Sequence, residues 1–99
     1  MREMLYQDED IRVSCDYLFN QTKVAMHLNI TPGSWSPSKF KKYQNILVTK
    51  IVPLLKARNY NEVYATPYEN DTKAQKLIKM FEFQTYGQNA GHVLMKREI

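Results

Sequence analysis

The sequence predicts an α/β domain of the α+β kind, a mixed and mainly antiparallel sheet with two helices. Three observations carry this reading. Val24, Met26, Leu28 and Ile30 alternate with Ala25, His27 and Asn29, the period-two pattern of a strand with one strongly apolar face. Phe40, Tyr43, Leu47, Ile51 and Leu54 or Leu55 then recur at spacings of three and four, the stripe of a core-facing helix. Glu62-Val63-Tyr64-Ala65-Thr66 supplies a second strand. Strand, helix and strand imply a parallel crossover, right-handed by rule.

The elements follow in order. Residues 1–21 leave several structures open. Met4-Leu5-Tyr6 suits a short strand, and Asp8-Glu9-Asp10 suits a turn or a helix start. Ile11 to Phe19 carries apolar residues at both strand and helix spacings. The strand at Val24–Ile30 stops at Thr31-Pro32-Gly33-Ser34, a turn composition. Ser36-Pro37 then reads as an N-cap followed by a proline at the first helical position, where a missing N–H costs nothing. Pro53 should kink this helix or tighten its last turn, because it removes the bond to Thr49 and crowds that carbonyl. Asn59 suits a left-handed cap. Asn70-Asp71-Thr72 caps a second helix whose stripe is Ala74, Leu77, Ile78 and Phe81. Phe83–Tyr86 and His92–Met95 read as two further strands around a loop from Gly87 to Gly91.

Composition narrows the function. The chain has 99 residues, enough for a single domain, and 24% are charged. The longest apolar cluster, Ile46 to Leu55, is interrupted by Thr49, Lys50 and Pro53, so no bilayer-spanning stretch is expected. Acids at positions 8–10 stand where a signal peptide would be apolar, and a cytoplasmic protein is expected. Cys15 is the only cysteine, which excludes an internal disulfide framework or a cysteine-based zinc site. It reads as a small core side chain. The net charge of +4 comes largely from lysines on the two helices, read as solvated faces. A nucleic-acid module using those lysines is a third-ranked reading, since no nucleic-acid motif accompanies them.

The segment from Asn70 to Phe83 resembles the C-terminal half of the GNAT acyltransferase family, whose pattern there is Asn-x-x-Ala-x-x-Leu-Tyr-x-x-Leu-Gly-Phe. Aligned on Ala74, Leu77 and Phe83, the family's Asn falls on Asp71, its Tyr on Ile78 and its Gly on Glu82. The resemblance covers roughly residues 22–99 and rests on element order and apolar spacing. The chain's shortness and degeneracy also resemble GNAT-like proteins encoded among tailed-bacteriophage virion genes. That would place it in host cytoplasm or in a virion.

The resemblance implies acetyl-CoA as the family cofactor, lying between the strands at Val24–Ile30 and Val63–Thr66. Its diphosphate would rest on backbone N–H groups at a helix start, written Gln/Arg-x-x-Gly-x-Gly/Ala. Here that stretch is Trp35-Ser36-Pro37-Ser38-Lys39-Phe40, with bulk at the glycine positions and one N–H removed by Pro37. Ser34, Ser36, Ser38 and Lys39 are the remaining candidates to hold an anion, and Asp71 is a further cofactor-binding candidate. The family's proton-donating Tyr is Ile78, which has no proton to give. Tyr64, Tyr68 and Tyr86 are possible substitutes, while His27 or Glu62 is the candidate general base. His27 reads first as a half-buried histidine satisfied by a neighbour, and His92 as a surface residue beside a turn.

A complete family member places a strand and two helices before its central strands. The 21 residues before Thr22 hold two strands, or one strand and one helix. A sheet so abbreviated should leave apolar surface or an open edge for a protein partner or a second copy, with Tyr6, Tyr17, Phe19 and Trp35 as contact candidates. The first expectation is therefore a non-catalytic binding or assembly module, with no cofactor and a virion protein as partner if the phage resemblance holds. The alternative is a divergent acetyl-CoA-dependent N-acetyltransferase.

Overall fold

The computed structural model describes residues 2–31, 33 and 36–99. Its first thirty residues form three antiparallel strands, β1 (Arg2–Gln7), β2 (Ile11–Leu18) and β3 (Lys23–Ile30). Of the structures left open for residues 1–21, two strands are present. Asp8 makes the first turn: its Oδ1 accepts from the backbone N–H groups of Asp10 (2.9 Å) and Ile11 (3.0 Å). Pairing resolves the ambiguous run after it. From Ile11↔Ile30 to Leu18↔Lys23, β2 and β3 match residue for residue. This puts Ile11, Val13 and Cys15 on one face with Val24, Met26, Leu28 and Ile30. The turn between them holds three successive left-handed residues, Phe19, Asn20 and Gln21 (φ 51°, 55° and 65°). Such a run is costly without glycine. The Tyr60 hydroxyl donates to the Gln21 carbonyl at 2.6 Å and helps hold it.

The helix after β3 runs as α1 (Pro37–Ile46), a π-helical turn (Leu47–Ile51) and α2 (Val52–Ala57). Ser36 caps it as expected, with Pro37 at the first helical positions. Of the two effects expected of Pro53, a kink or a tighter turn, the tightening does not occur. The turn before the proline is widened instead, and the Val52 N–H donates to the Leu47 carbonyl. A π-bulge relieves the crowding that the proline ring would cause at the Thr49 carbonyl.

Two helices end in the same motif. After α2, Asn59 is left-handed (φ 70°), and the N–H groups of Asn59 and Tyr60 donate to the Lys56 and Leu55 carbonyls. After α3 (Thr72–Met80), Glu82 is left-handed (φ 70°), and Glu82 and Phe83 donate to Lys79 and Ile78. Both are Schellman caps, each followed by a buried aromatic. The strands β4 (Glu62–Ala65), β5 (Gln84–Asn89) and β6 (His92–Glu98) complete the chain. The last hairpin corrects the sequence reading: Asn89 pairs with His92, so the loop is only Ala90-Gly91, with φ 52° and 81°. That is the left-handed pair a two-residue hairpin needs, and Gly87 lies in the strand at an irregularity in register.

The strand order is β1-β2-β3-β4-β6-β5, parallel only between β3 and β4. The core lies on one side of the sheet. There Val13, Cys15, Val24, Val63, Ala65, Val93 and Met95 meet Tyr43, Leu47, Ile51 and Leu55 of the first helix. Phe81 and Phe83 join from the end of α3, with Phe40 against Phe81 at 5.1 Å between rings. The opposite sheet face mixes exposed apolar side chains, Met4, Leu18 and Tyr86, with a polar cluster, and the sheet ends in the edge strands β1 and β5. Arg2, Asp16 and His27 lie on that face, as do Lys23, Tyr64, Glu62 and Lys96, all joined by ion pairs or hydrogen bonds.

Candidate functional site

The sheet contains one built-in gap. β3 and β4 pair at a single register position, Ala25↔Tyr64. Beyond it lies a cleft of about 280 Å³. Met26 and Leu28 line it from β3, Ala65 from β4 and Thr66 from just beyond it, and Leu77 and Ile78 from α3. His27 and Asn29 line it too, although they project from the opposite face to Met26 and Leu28. The cleft therefore opens through the sheet, apolar toward the helices and polar toward the other face.

At the polar side, His27 Nε2 lies 2.7 Å from Asp16 Oδ2, and Arg2 Nη2 lies 3.2 Å from the same oxygen. The Arg2 guanidinium, with the imidazole beside it, holds the Asp16 carboxyl below the usual carboxylate range. His27 is thus the half-buried, satisfied histidine that its strand position implied, and it also faces the cleft. The sequence singled out His27 but not its partners. Asp16 is eleven positions away and reaches His27 diagonally, since Asp16 pairs with Ala25 and Ser14 with His27.

The other candidates lie elsewhere. Glu62 and Tyr64 sit on the polar sheet face outside the cleft lining: Lys23 Nζ is 2.8 Å from the Tyr64 hydroxyl, and Lys96 Nζ is 3.3 Å from Glu62. Tyr86 meets Tyr64 edge-on at 6.0 Å. Of the three substitute tyrosines, Tyr68 lines the cleft, stacked on His92 at 4.6 Å and 63% exposed. His92 in turn places Nδ1 2.9 Å from the Thr66 carbonyl oxygen. Cys15 is wholly buried, and burial pushes its thiol pKa up.

The aromatic contact candidates divide similarly. Tyr6 donates to Asp8 at 2.9 Å and packs edge-on against Tyr43. Tyr17 donates to Glu3 at 2.7 Å, receives a hydrogen bond from Arg58 and stacks on Tyr60. Both serve the chain's own packing. Phe19 is 72% exposed at its turn. Ser34 and Trp35 lie outside the described residues.

The start of α1 closes on itself. Pro37 has no N–H, the Lys39 N–H donates to Ser36 Oγ at 3.3 Å, and the Phe40 N–H donates to the Ser36 carbonyl at 2.9 Å. Among the described residues of this first turn, Ser38 supplies the one amide not so engaged. Ser38 Oγ lies 3.2 Å from Ser36 Oγ, and Lys39 Nζ lies 2.8 Å from Asp10. Asp71 lines the cleft but gives its carboxylate to the Ala74 N–H at 3.1 Å, as the N-cap of α3. Among the described residues no three metal-ligating side chains cluster, and no helix is long and apolar enough to cross a membrane.

No protein family and no curated protein matches the chain by sequence. Solved structures match its fold. A protein assigned as a phosphinothricin N-acetyltransferase superposes with a TM-score of 0.65 over 94% of this chain and 68% of its own, at 12% identity. The fold is GNAT-like. A chimera of the spermidine N-acetyltransferase SpeG from Vibrio cholerae and hSSAT gives a TM-score of 0.58 at 15% identity, over 98% of this chain and 63% of its own. The chain thus spans about two thirds of the length of these two acetyltransferases. Within the GNAT-like fold, one substitution noted in the sequence now has a backbone meaning. The family's Gly falls on Glu82, which adopts the left-handed conformation that glycine favours.

Proposed function

We propose that the chain is a binding module on a GNAT-like fold, with the inter-strand cleft retained and the grip for a nucleotide diphosphate lost. The observation that carries this is the start of α1. A diphosphate cradle needs several convergent N–H donors, each charge-assisted bond contributing about 1.5–3 kcal/mol. Pro37 and the capped Lys39 amide remove two of them. Their loss lowers affinity by roughly 10²–10⁴-fold. The Phe40 ring, packed on Phe81, ties this turn to the core instead of leaving it free to close on phosphate. Isothermal titration with coenzyme A and acetyl-CoA tests the reading. Binding no tighter than millimolar is expected, and micromolar binding abolished by Ser38→Glu would overturn it.

One observation favours a second reading, a divergent N-acetyltransferase. His27, backed by Asp16, lines the cleft where an acceptor amine would lose its proton. Tyr68 is the candidate hydroxyl on the cleft wall for a departing thiolate, since Ile78 supplies none and the Tyr6 and Tyr43 hydroxyls there donate to Asp8. Thiol release from acetyl-CoA with a panel of amines, lost in both His27→Ala and Tyr68→Phe, would establish it. Absence of turnover together with absent cofactor binding retires it.

A further inference from the structure

The charge of this protein is divided between its two layers. The helices α1, α2, α3 and the π turn carry eight of the fourteen basic side chains and no carboxylate. No acid occurs anywhere in residues 17–61. The remaining six basic residues share the rest of the chain with all ten acids, so the sheet and its turns are net acidic. Because the helices pack on one side of the sheet, this sequence asymmetry becomes a spatial one.

Two of the eight lysines are tied down, Lys39 to Asp10 and Lys42 to Asp8. Lys41, Lys50, Lys56, Lys73, Lys76 and Lys79 are exposed and have no carboxylate partner among the described residues. On α3 three of them recur at i, i+3 and i+6, a stripe along one helix side. The same elements expose apolar side chains: Val48 at 49%, Leu54 at 37% and Met80 at 49%.

We infer that this helical layer is a docking surface for an acidic protein segment that presents carboxylates beside apolar side chains. Charge complementarity selects an anion, and two observations select protein over nucleic acid. The cations are all lysine, without the arginine fork that reads phosphate and bases in two contacts. Among the described residues, the large apolar side chains that the helices themselves expose are aliphatic or thioether, which match an apolar protein patch better than a stack of bases. The inference rests on the binding-module reading in naming its partner class, whereas the charge asymmetry stands whatever the cleft holds.

The test uses the full chain and a fluorescein-labelled synthetic amphipathic helix of glutamate and leucine, with a random-sequence DNA duplex beside it. Fluorescence anisotropy should show micromolar peptide binding that weakens at least tenfold between about 50 mM and about 500 mM salt. It should weaken at least tenfold in Lys50→Glu/Lys56→Glu or Lys73→Glu/Lys76→Glu, and severalfold in Val48→Ser, with circular dichroism unchanged. Duplex binding as tight as peptide binding, peptide binding indifferent to charge reversal, or no peptide binding overturns the inference. Micromolar coenzyme A binding in a parallel titration would overturn the binding-module reading and leave these outcomes to judge the surface.

Discussion

Asp8 joins the first hairpin to the first helix, and its replacement has a calculable cost. Its side chain is only 20% exposed and accepts two backbone N–H bonds, the Tyr6 hydroxyl at 2.9 Å, the Tyr43 hydroxyl at 3.1 Å and the Lys42 ammonium at 3.1 Å. The Lys42 bond is exposed and adds little. The turn bonds resemble a helix cap, about 1 kcal/mol on removal. Losing the charge-assisted bond that the Tyr43 hydroxyl donates to this carboxylate costs a further ~1.5–3 kcal/mol. Asp8→Ala should therefore destabilise by about 2–4 kcal/mol, and Asp8→Asn, which keeps an acceptor for the turn, by less. Urea unfolding followed by circular dichroism measures both.

The pH dependence has a defined sign. Although burial opposes ionisation, the bonds from the Asp10 and Ile11 amides, Lys42 and Tyr6 hold the Asp8 pKa below the usual value near 4. A depressed folded pKa means the unfolded state binds the proton first, so this stabilisation is complete above about pH 5. It is lost as pH falls toward the folded pKa. Wild-type stability should thus drop between about pH 5 and pH 2 more steeply than that of Asp8→Asn. Burial, together with the same carboxylate, pushes the Tyr43 pKa up to about 12. Equal stability of Asp8→Ala and wild type at pH 7, or parallel acid limbs, would refute this account.

Three further predictions use the same reasoning. Glu82→Gly should stabilise by up to about 1 kcal/mol, because the left-handed cap no longer strains a Cβ, less whatever the 3.4 Å pair with Arg97 contributes; chemical denaturation measures it. Ala90→Asn creates the Asn-Gly pair preferred in this hairpin turn and should raise stability by a few tenths of a kcal/mol to ~1 kcal/mol, whereas Gly91→Ala should lower it by about as much. Cys15, buried and with its thiol pKa raised, should react with a thiol reagent at neutral pH only as fast as the protein unfolds; prompt reaction in the native state would contradict its core position.

From Thr22 onward the fold was legible because each element carried its own signal. The alternation of β3, the Ser36-Pro37 start, Asn59 and the Asp71 cap all act within a few residues of themselves. Residues 1–21 were not legible for the opposite reason. Asp8 is a turn residue whose main partners include Lys42 and Tyr43, and Ile11–Leu18 becomes a strand by pairing with β3. The turn at 19–21 lacks the glycine that would have announced left-handed backbone. Gly87 misled in the other direction, since a glycine inside a strand resembles a loop glycine in sequence. At the site, His27 was visible from strand alternation, and the poverty of the α1 start was visible from Pro37 and from Ser38 and Phe40 at the glycine positions, whereas the engagement of the Lys39 amide by Ser36 was not. The Asp16–His27 pair and the place of Tyr68 on the cleft wall depend on strand register and on the single pairing position between β3 and β4, which periodicity does not encode.

The increment that a diphosphate adds to binding is the most direct measure of the central claim. Coenzyme A and pantetheine share the same arm, and coenzyme A alone carries the nucleotide and its diphosphate. Their dissociation constants, from chemical-shift titration of the amides of Met26–Asn29 and Ser38–Phe40, give that increment as a ratio. With the α1 start closed by Pro37 and the Ser36 cap, the two constants should agree within about threefold, a difference below ~0.7 kcal/mol. Coenzyme A binding tenfold or more tightly, with the largest shifts at Ser38–Phe40, would contradict the account.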